Sequence, residues 1–396
     1  MPMRVAVLTA MILWQIVPGY GTDAGSVHAA SPRSAEQLVE DLGSRSFSTR
    51  EDSTRQLRDL GDEALPALRQ AADSRRLEVR LRAARLIEAI EMTSLRERVE
   101  VLRQGRIEPD ANLPGWMEFR QLVDDANGAG ELYYRMVQAE PQLMYLVSQD
   151  AERRRAELEK RCTDLRMPFS NHGGSQSGVA PETTAALLFI SCDPRIHASQ
   201  AAHGCVSSLV LRTEFDQATA DVDIGDALRR LLGAWTVHSS SGSSMQRLTI
   251  AAKYELPEGV SVALDVIDDR TRGPQIQYAI FFVAKMGGDE HIAELEALLE
   301  DDAVLTPRRG RGNNGFTAQI RDAALVALLH MTGQDPDDYG FNRLRPHSQY
   351  LFAPNTAGFD SQSDREQALL KWQSWRKQNL RENLPIDSDA IEGTTL

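Results

Sequence analysis

The sequence predicts an all-α protein, an α-α superhelix in which helical hairpins stack into a solenoid. Three observations predict it. Apolar residues recur at helical spacing in segment after segment, between glycine and proline stops. No stretch alternates apolar and polar residues convincingly, so no sheet of any size is expected. One helical pattern returns near the end of the chain, and self-similarity marks a repeat architecture.

The first 29 residues stand apart from this pattern. Arg4 gives a minimal basic start, Val5–Val17 is mostly apolar apart from Gln15, and Pro18 ends the run. Small residues at Val27 and Ala29 place a cleavage site after Ala29, so residues 1–29 are expected to be a signal peptide. The apolar run is short for a membrane span, and no Cys lies nearby for lipid attachment. The expected location is periplasmic or extracellular, with no stable membrane insertion after cleavage.

Residues 30–106 read as an N-terminal repeat region. Ser34 with Gln37 forms a capping box ahead of Leu38, Val39 and Leu42. Ser48 with Glu51 predicts a second box, Gly61 a helix stop, and Pro66 a first-turn position. The next helix carries Val79, Ala83, Leu86, Ile87 and Ile90 on one face, with Arg80, Arg82 and Arg85 elsewhere.

A helical connecting region is expected over 112–166. Its Arg153-Arg154-Arg155 run lies near Glu152, Glu157 and Glu159, which reads as a solvated, salt-bridged face. Residues 167–180 are Gly/Ser-rich and predict a flexible loop. The array resumes over 181–333, with helices expected at Ala185–Ile190, Ile196–Leu211, Ile224–Trp235, Met245–Tyr254, Val260–Ile267, Pro274–Met286 and Ile292–Leu299. Pro274–Met286 is apolar almost all round, as expected of a helix buried between neighbours.

The late copy of the pattern begins at Gln319-Ile320-Arg321. Ile320 falls on Val79, Arg321 on Arg80, Ala324 on Ala83, Leu328 on Ile87 and Met331 on Ile90. A hydrophobe, an Arg, a small residue one turn on and then Leu or Ile is the inner helix of a stacked hairpin. This resembles the HEAT-repeat family, in its bacterial form related to phycobilisome-lyase repeats. TGQD, beginning at Thr332, breaks the last repeat helix and leads into residues 334–396, which carry YGF and KWQSW; the three elements are similar to the closing segment of exported bacterial HEAT-repeat proteins. They predict a cap whose helix Asp364–Asn379 bears Trp372 and Trp375, followed by a disordered tail.

Composition narrows the function. The net charge of −13 argues against nucleic-acid and anionic-membrane partners. Gly174–Gly178 has Gln176 at its centre, so the hydrolase nucleophile elbow is absent. His197 and His203 lie six residues apart, about 600° round a helix, so Cys192, His197, His203 and Cys205 predict no metal site. Asp335, Asp337 and Asp338 begin like a calcium loop, but Tyr339 and Pro346 occupy ligand places. Cys192 and Cys205 are the only plausible disulfide partners by position. A stagger of roughly 13 Å along their helices argues against that bridge.

Arg308, Arg309 and Arg311 are the candidate binding residues, since arginines on a Gly/Asn-rich loop suit a phosphate, sulfate or carboxylate. They also suit the acidic cluster Glu300, Asp301 and Asp302. Trp372 and Trp375 are candidate aromatic contacts whose first expected role is structural. No catalytic residue and no cofactor is assigned. The expected function is a non-enzymatic scaffold for a protein or extended peptide, as the resemblance also implies. Two alternatives stand beside it. One is a tetrapyrrole-handling enzyme or subunit with a groove at Trp235, His238 and the arginine loop. The other is a polysaccharide-binding module using Trp116, Trp372 and Trp375.

Overall fold

Helix starts show how closely local chemistry sets this structure. The computed structural model describes residues 33–103, 113–166, 178–238, 243–269, 273, 275–309 and 316–382. The expected signal peptide, most of the Gly/Ser-rich loop, Arg311 and the C-terminal tail lie outside them. Helix α1 (Ala35–Asp41) opens on the predicted Ser34/Gln37 box. Helix α2 (Phe47–Leu60) starts two residues earlier than its predicted box: Ser46 is the cap, and its Oγ accepts from the Thr49 amide at 3.4 Å. Ser48 is already helical, and Glu51 instead meets Arg82 at 2.9 Å. Gly61 ends α2 at φ +59°, a conformation glycine adopts without a Cβ penalty. Pro66 lies in the first turn of α3 (Leu65–Ala72).

The chain forms two compact units, one ending at Glu88 and the other beginning at Ala89. In the first, Leu38, Leu42, Leu57, Leu68 and Ala83 are buried. Helix α4 (Leu77–Arg103) contributes to both units, and its Leu95 and Val99 belong to the core of the second.

The second unit is built almost entirely of helices. Its first part comprises α5 (Trp116–Val123), α6 (Ala129–Ala139), α7 (Pro141–Tyr145), α8 (Ala151–Arg166), α9 (Pro181–Ser191) and α10 (Gln200–Val210). Then come α11 (Thr213–Ala218), for which the sequence pattern gives no signal, and α12 (Gly225–His238). The array continues with α13 (Ser244–Tyr254), α14 (Gly259–Asp268), α15 (Ile276–Met286), α16 (Ile292–Glu296) and α17 (Ile320–Met331). Each helix from α12 to α15 packs on the next, α15 packs on α17, and α16 lies beside α17. This neighbour-on-neighbour order is that of stacked hairpins, and 73% of the described residues are helical. Ile276 and Ala279–Ala284 are buried, so α15 is enclosed as expected.

Three expectations need correction. The segment between α16 and α17 forms a small antiparallel hairpin, β1 (Val304–Arg309) with β2 (Phe316–Gln319). Two register shifts interrupt its ladder, and such bulges erase the period-two pattern by which strands are read. Arg154 is buried, with 4% of its side chain exposed, while Arg153 is exposed. It shares the inward face of α8 with Leu158 and Cys162, at i+4 and i+8. Finally, α10 begins only at Gln200, and Cys205 faces Cys162 rather than Cys192. All three cysteines are buried and free.

Candidate functional site

The last helix of the array, α17, is almost wholly apolar, and its one buried charge anchors the C-terminal segment. Asp322 closes a capping box by accepting from the Gln319 amide at 2.9 Å. Its side chain is only 1% exposed and meets the equally buried Arg365 through two parallel bonds, Nε–Oδ1 at 2.7 Å and a second at 3.0 Å. Arg365 belongs to α18 (Gln362–Glu382). It also donates to the Thr317 carbonyl and hydroxyl at 3.1 and 3.0 Å, and it stacks over Phe359 at 5.6 Å. Burial pushes the Asp322 carboxyl up, and the Arg365 guanidinium opposes that rise.

One pair of side chains therefore ties α17, β2 and α18 together. Reciprocal 3.0 Å backbone bonds between Thr317 and Phe359 add the intervening segment to the edge of β2. Trp372 of α18 is 1% exposed and stacks on Trp375 at 5.1 Å. Arg376 reaches back to Glu296 of α16 at 2.8 Å. The irregular chain between α17 and α18 is held from inside: Asn355 donates its amide to the buried Gln277 at 2.8 Å, and Phe341 packs on Phe359 at 4.5 Å.

This bracing surrounds an open cavity of about 570 Å³. Phe316, Tyr339 and Phe359 give it aromatic walls, and Asp338, Asp360 and Asp364 give it carboxylates. Gly340, at φ +85°, and Gly358 bring backbone to its edge. Lys371 donates to the Asp338 carbonyl at 2.7 Å and lies 4.4 Å from the Tyr339 ring centre, while Arg343 pairs with Asp360 at 2.8 Å. The Asp335 carboxylate accepts from the Asp337 amide at 2.9 Å, which makes this stretch a turn. No group of three or more His, Cys, Asp or Glu able to hold a metal occurs among the described residues.

A second, more apolar cavity of about 370 Å³ lies between α5, α8 and α9. Leu122, Val147, Phe189 and Ile190 line it with Arg154 and Arg195. Both arginines hold Asp193, Arg154 from within and Arg195 at 2.9 Å from the rim. Burial works against the Asp193 carboxylate, but the bonds from Arg195 outweigh it and hold the group below its ordinary range.

Among the sequence candidates, Arg308 and Arg309 lie on β1, and their side chains, like Arg311, fall outside the described residues. Trp372 is buried and Trp375 half-buried. Trp235 is fully buried, with its ring stacked on His203 at 4.9 Å, so it is not available to a tetrapyrrole groove. Burial, aided by the nearby Arg247 charge, lowers His203 to about 4, so its imidazole is neutral at pH 7. Asp322 and Arg365 were missed from sequence, although a lone carboxylate in the run IRDAALVALLHM is a signal that a partner must exist. No protein-family model matches this chain, and no curated protein matches it.

Proposed function

We propose that this chain is an exported, non-catalytic HEAT-like scaffold whose C-terminal cavity holds a stretch of extended protein chain. The observation that carries the reading is the 570 Å³ cavity beside the buried Asp322–Arg365 pair. Its aromatic walls suit side-chain hydrocarbon, and its carboxylates suit peptide N–H groups and cationic side chains. Three carboxylates against the single Lys371 among its charged lining residues favour a segment carrying Lys or Arg. The buried bracing keeps the cavity formed before a partner arrives, which reduces the entropy lost on binding.

The polysaccharide reading has less support, because Trp116 and Trp372 are 2% and 1% exposed and offer no free ring face. Fluorescence anisotropy with labelled decapeptides, basic, neutral and acidic, tests the proposal. The basic set is expected to bind best, and Asn342→Trp, which adds bulk at the cavity lining, is expected to weaken it at least about tenfold, or about 1.4 kcal/mol. Equal binding of all three sets, or no loss in a folded Asn342→Trp protein, would contradict the reading.

A further inference from the structure

Helices α8 and α10 pack side by side and each presents a cysteine to the other. The Cys205 Sγ lies 3.6 Å from the Cys162 carbonyl oxygen, and the Cys162 Sγ lies 3.9 Å from the carbonyl of Ala202, one turn before Cys205. Each sulfur therefore lies against the backbone of the other's helix. Both residues are 2% exposed, and they are 43 positions apart in sequence. We infer that Cys162 and Cys205 form a reversible disulfide that joins α8 to α10.

The chemistry of the site gives the two sulfurs different parts. The Cys162 S–H bond and the Arg166 charge outweigh burial and lower Cys205 to about 7, whereas the same bond and burial push Cys162 up. Cys205 is therefore the attacking thiolate. It attacks one sulfur of a disulfide oxidant such as glutathione disulfide and releases one equivalent of thiol. Cys162 then loses its proton, attacks the Cys205 sulfur of the mixed disulfide and releases the second equivalent. One S–S bond forms as the oxidant's is broken, and two electrons and two protons pass to the oxidant. Cys192 stands outside this exchange: it lies on the lining of the second cavity, and burial pushes its thiol up.

Closing a loop of this length restricts the unfolded chain, so the oxidised form is expected to melt higher by about 5 °C. The test refolds the reduced full chain with glutathione disulfide, alkylates the remaining thiols and maps the peptides. The expected map joins Cys162 to Cys205, leaves Cys192 alkylated and reverts with dithiothreitol. Cys192→Ser should leave the bridge intact. Three alkylated cysteines in a refolded protein, a bridge involving Cys192, or glutathione retained on Cys205 would each overturn the inference.

Discussion

Arg365→Ala is expected to lower the free energy of unfolding by about 3–5 kcal/mol, because it leaves a buried carboxylate without its counter-charge. Asp322 is 1% exposed and takes both of its close charged bonds from Arg365. The same change also removes one of the two bonds to the Thr317 carbonyl, which keeps the Phe359 amide at 3.0 Å. Replacing both partners, as Asp322→Leu with Arg365→Met, should recover most of the loss, since two apolar groups need no compensation. Recovery should stop short by about 1 kcal/mol, because the Gln319 amide still loses its acceptor. Urea unfolding followed by circular dichroism measures all three variants. A single Arg365→Ala effect below about 1 kcal/mol would mean that the pair is less enclosed than its burial implies.

Trp372→Ala should cost a similar amount, about 3–5 kcal/mol, through the cavity left by a large buried ring. Trp372 is 1% exposed and part of the continuous core, whereas Trp375, its stacking partner, is only half-buried. Trp375→Ala is therefore expected to cost about 1 kcal/mol, the scale of an aromatic pair and some lost area. The contrast between two tryptophans three residues apart reports which face of α18 is turned inward. Equal effects from both would mean that α18 is rotated or loosely attached.

The legible part of this fold was the part governed by local, periodic chemistry. Spacing alone places Val79, Ala83, Leu86, Ile87 and Ile90 on one face, and Ile320, Ala324, Leu328 and Met331 in the matching pattern; seven of these nine are buried, and Ile87 and Met331 are half-buried. The Ser34/Gln37 box and the Gly61 stop were equally visible, since caps depend on residues a few positions apart. What escaped was set over longer distances. Arg154 was read by its charged neighbours in sequence, yet its partner Asp193 is 39 residues away and its face is shared with Leu158. The Arg365–Asp322 pair spans 43 residues, as does the contact of Cys205 with Cys162. The β1–β2 hairpin escaped because its bulges break the alternation on which strand reading depends.

The candidate cavity was less legible than the fold. Its lining comes from β2, the turn at Asp338–Gly340, the segment at Gly358–Asp360 and α18. Sequence spacing cannot bring four such pieces together. The TGQD, YGF and KWQSW elements marked the region as distinctive, but its aromatic residues do two jobs. Trp372 fills core, whereas Tyr339 and Phe359 are mostly buried and still border the cavity.

The central claim is that the C-terminal segment is built into the last hairpins of the array and holds the cavity in shape. Native-state amide hydrogen exchange of the full chain tests it most directly. The Thr317 and Phe359 amides and the interior of α18 are expected to open together with α17, with free energies close to that of global unfolding. Exchange of Phe359 and α18 through an early, separate opening, while α17 stays protected, would contradict it.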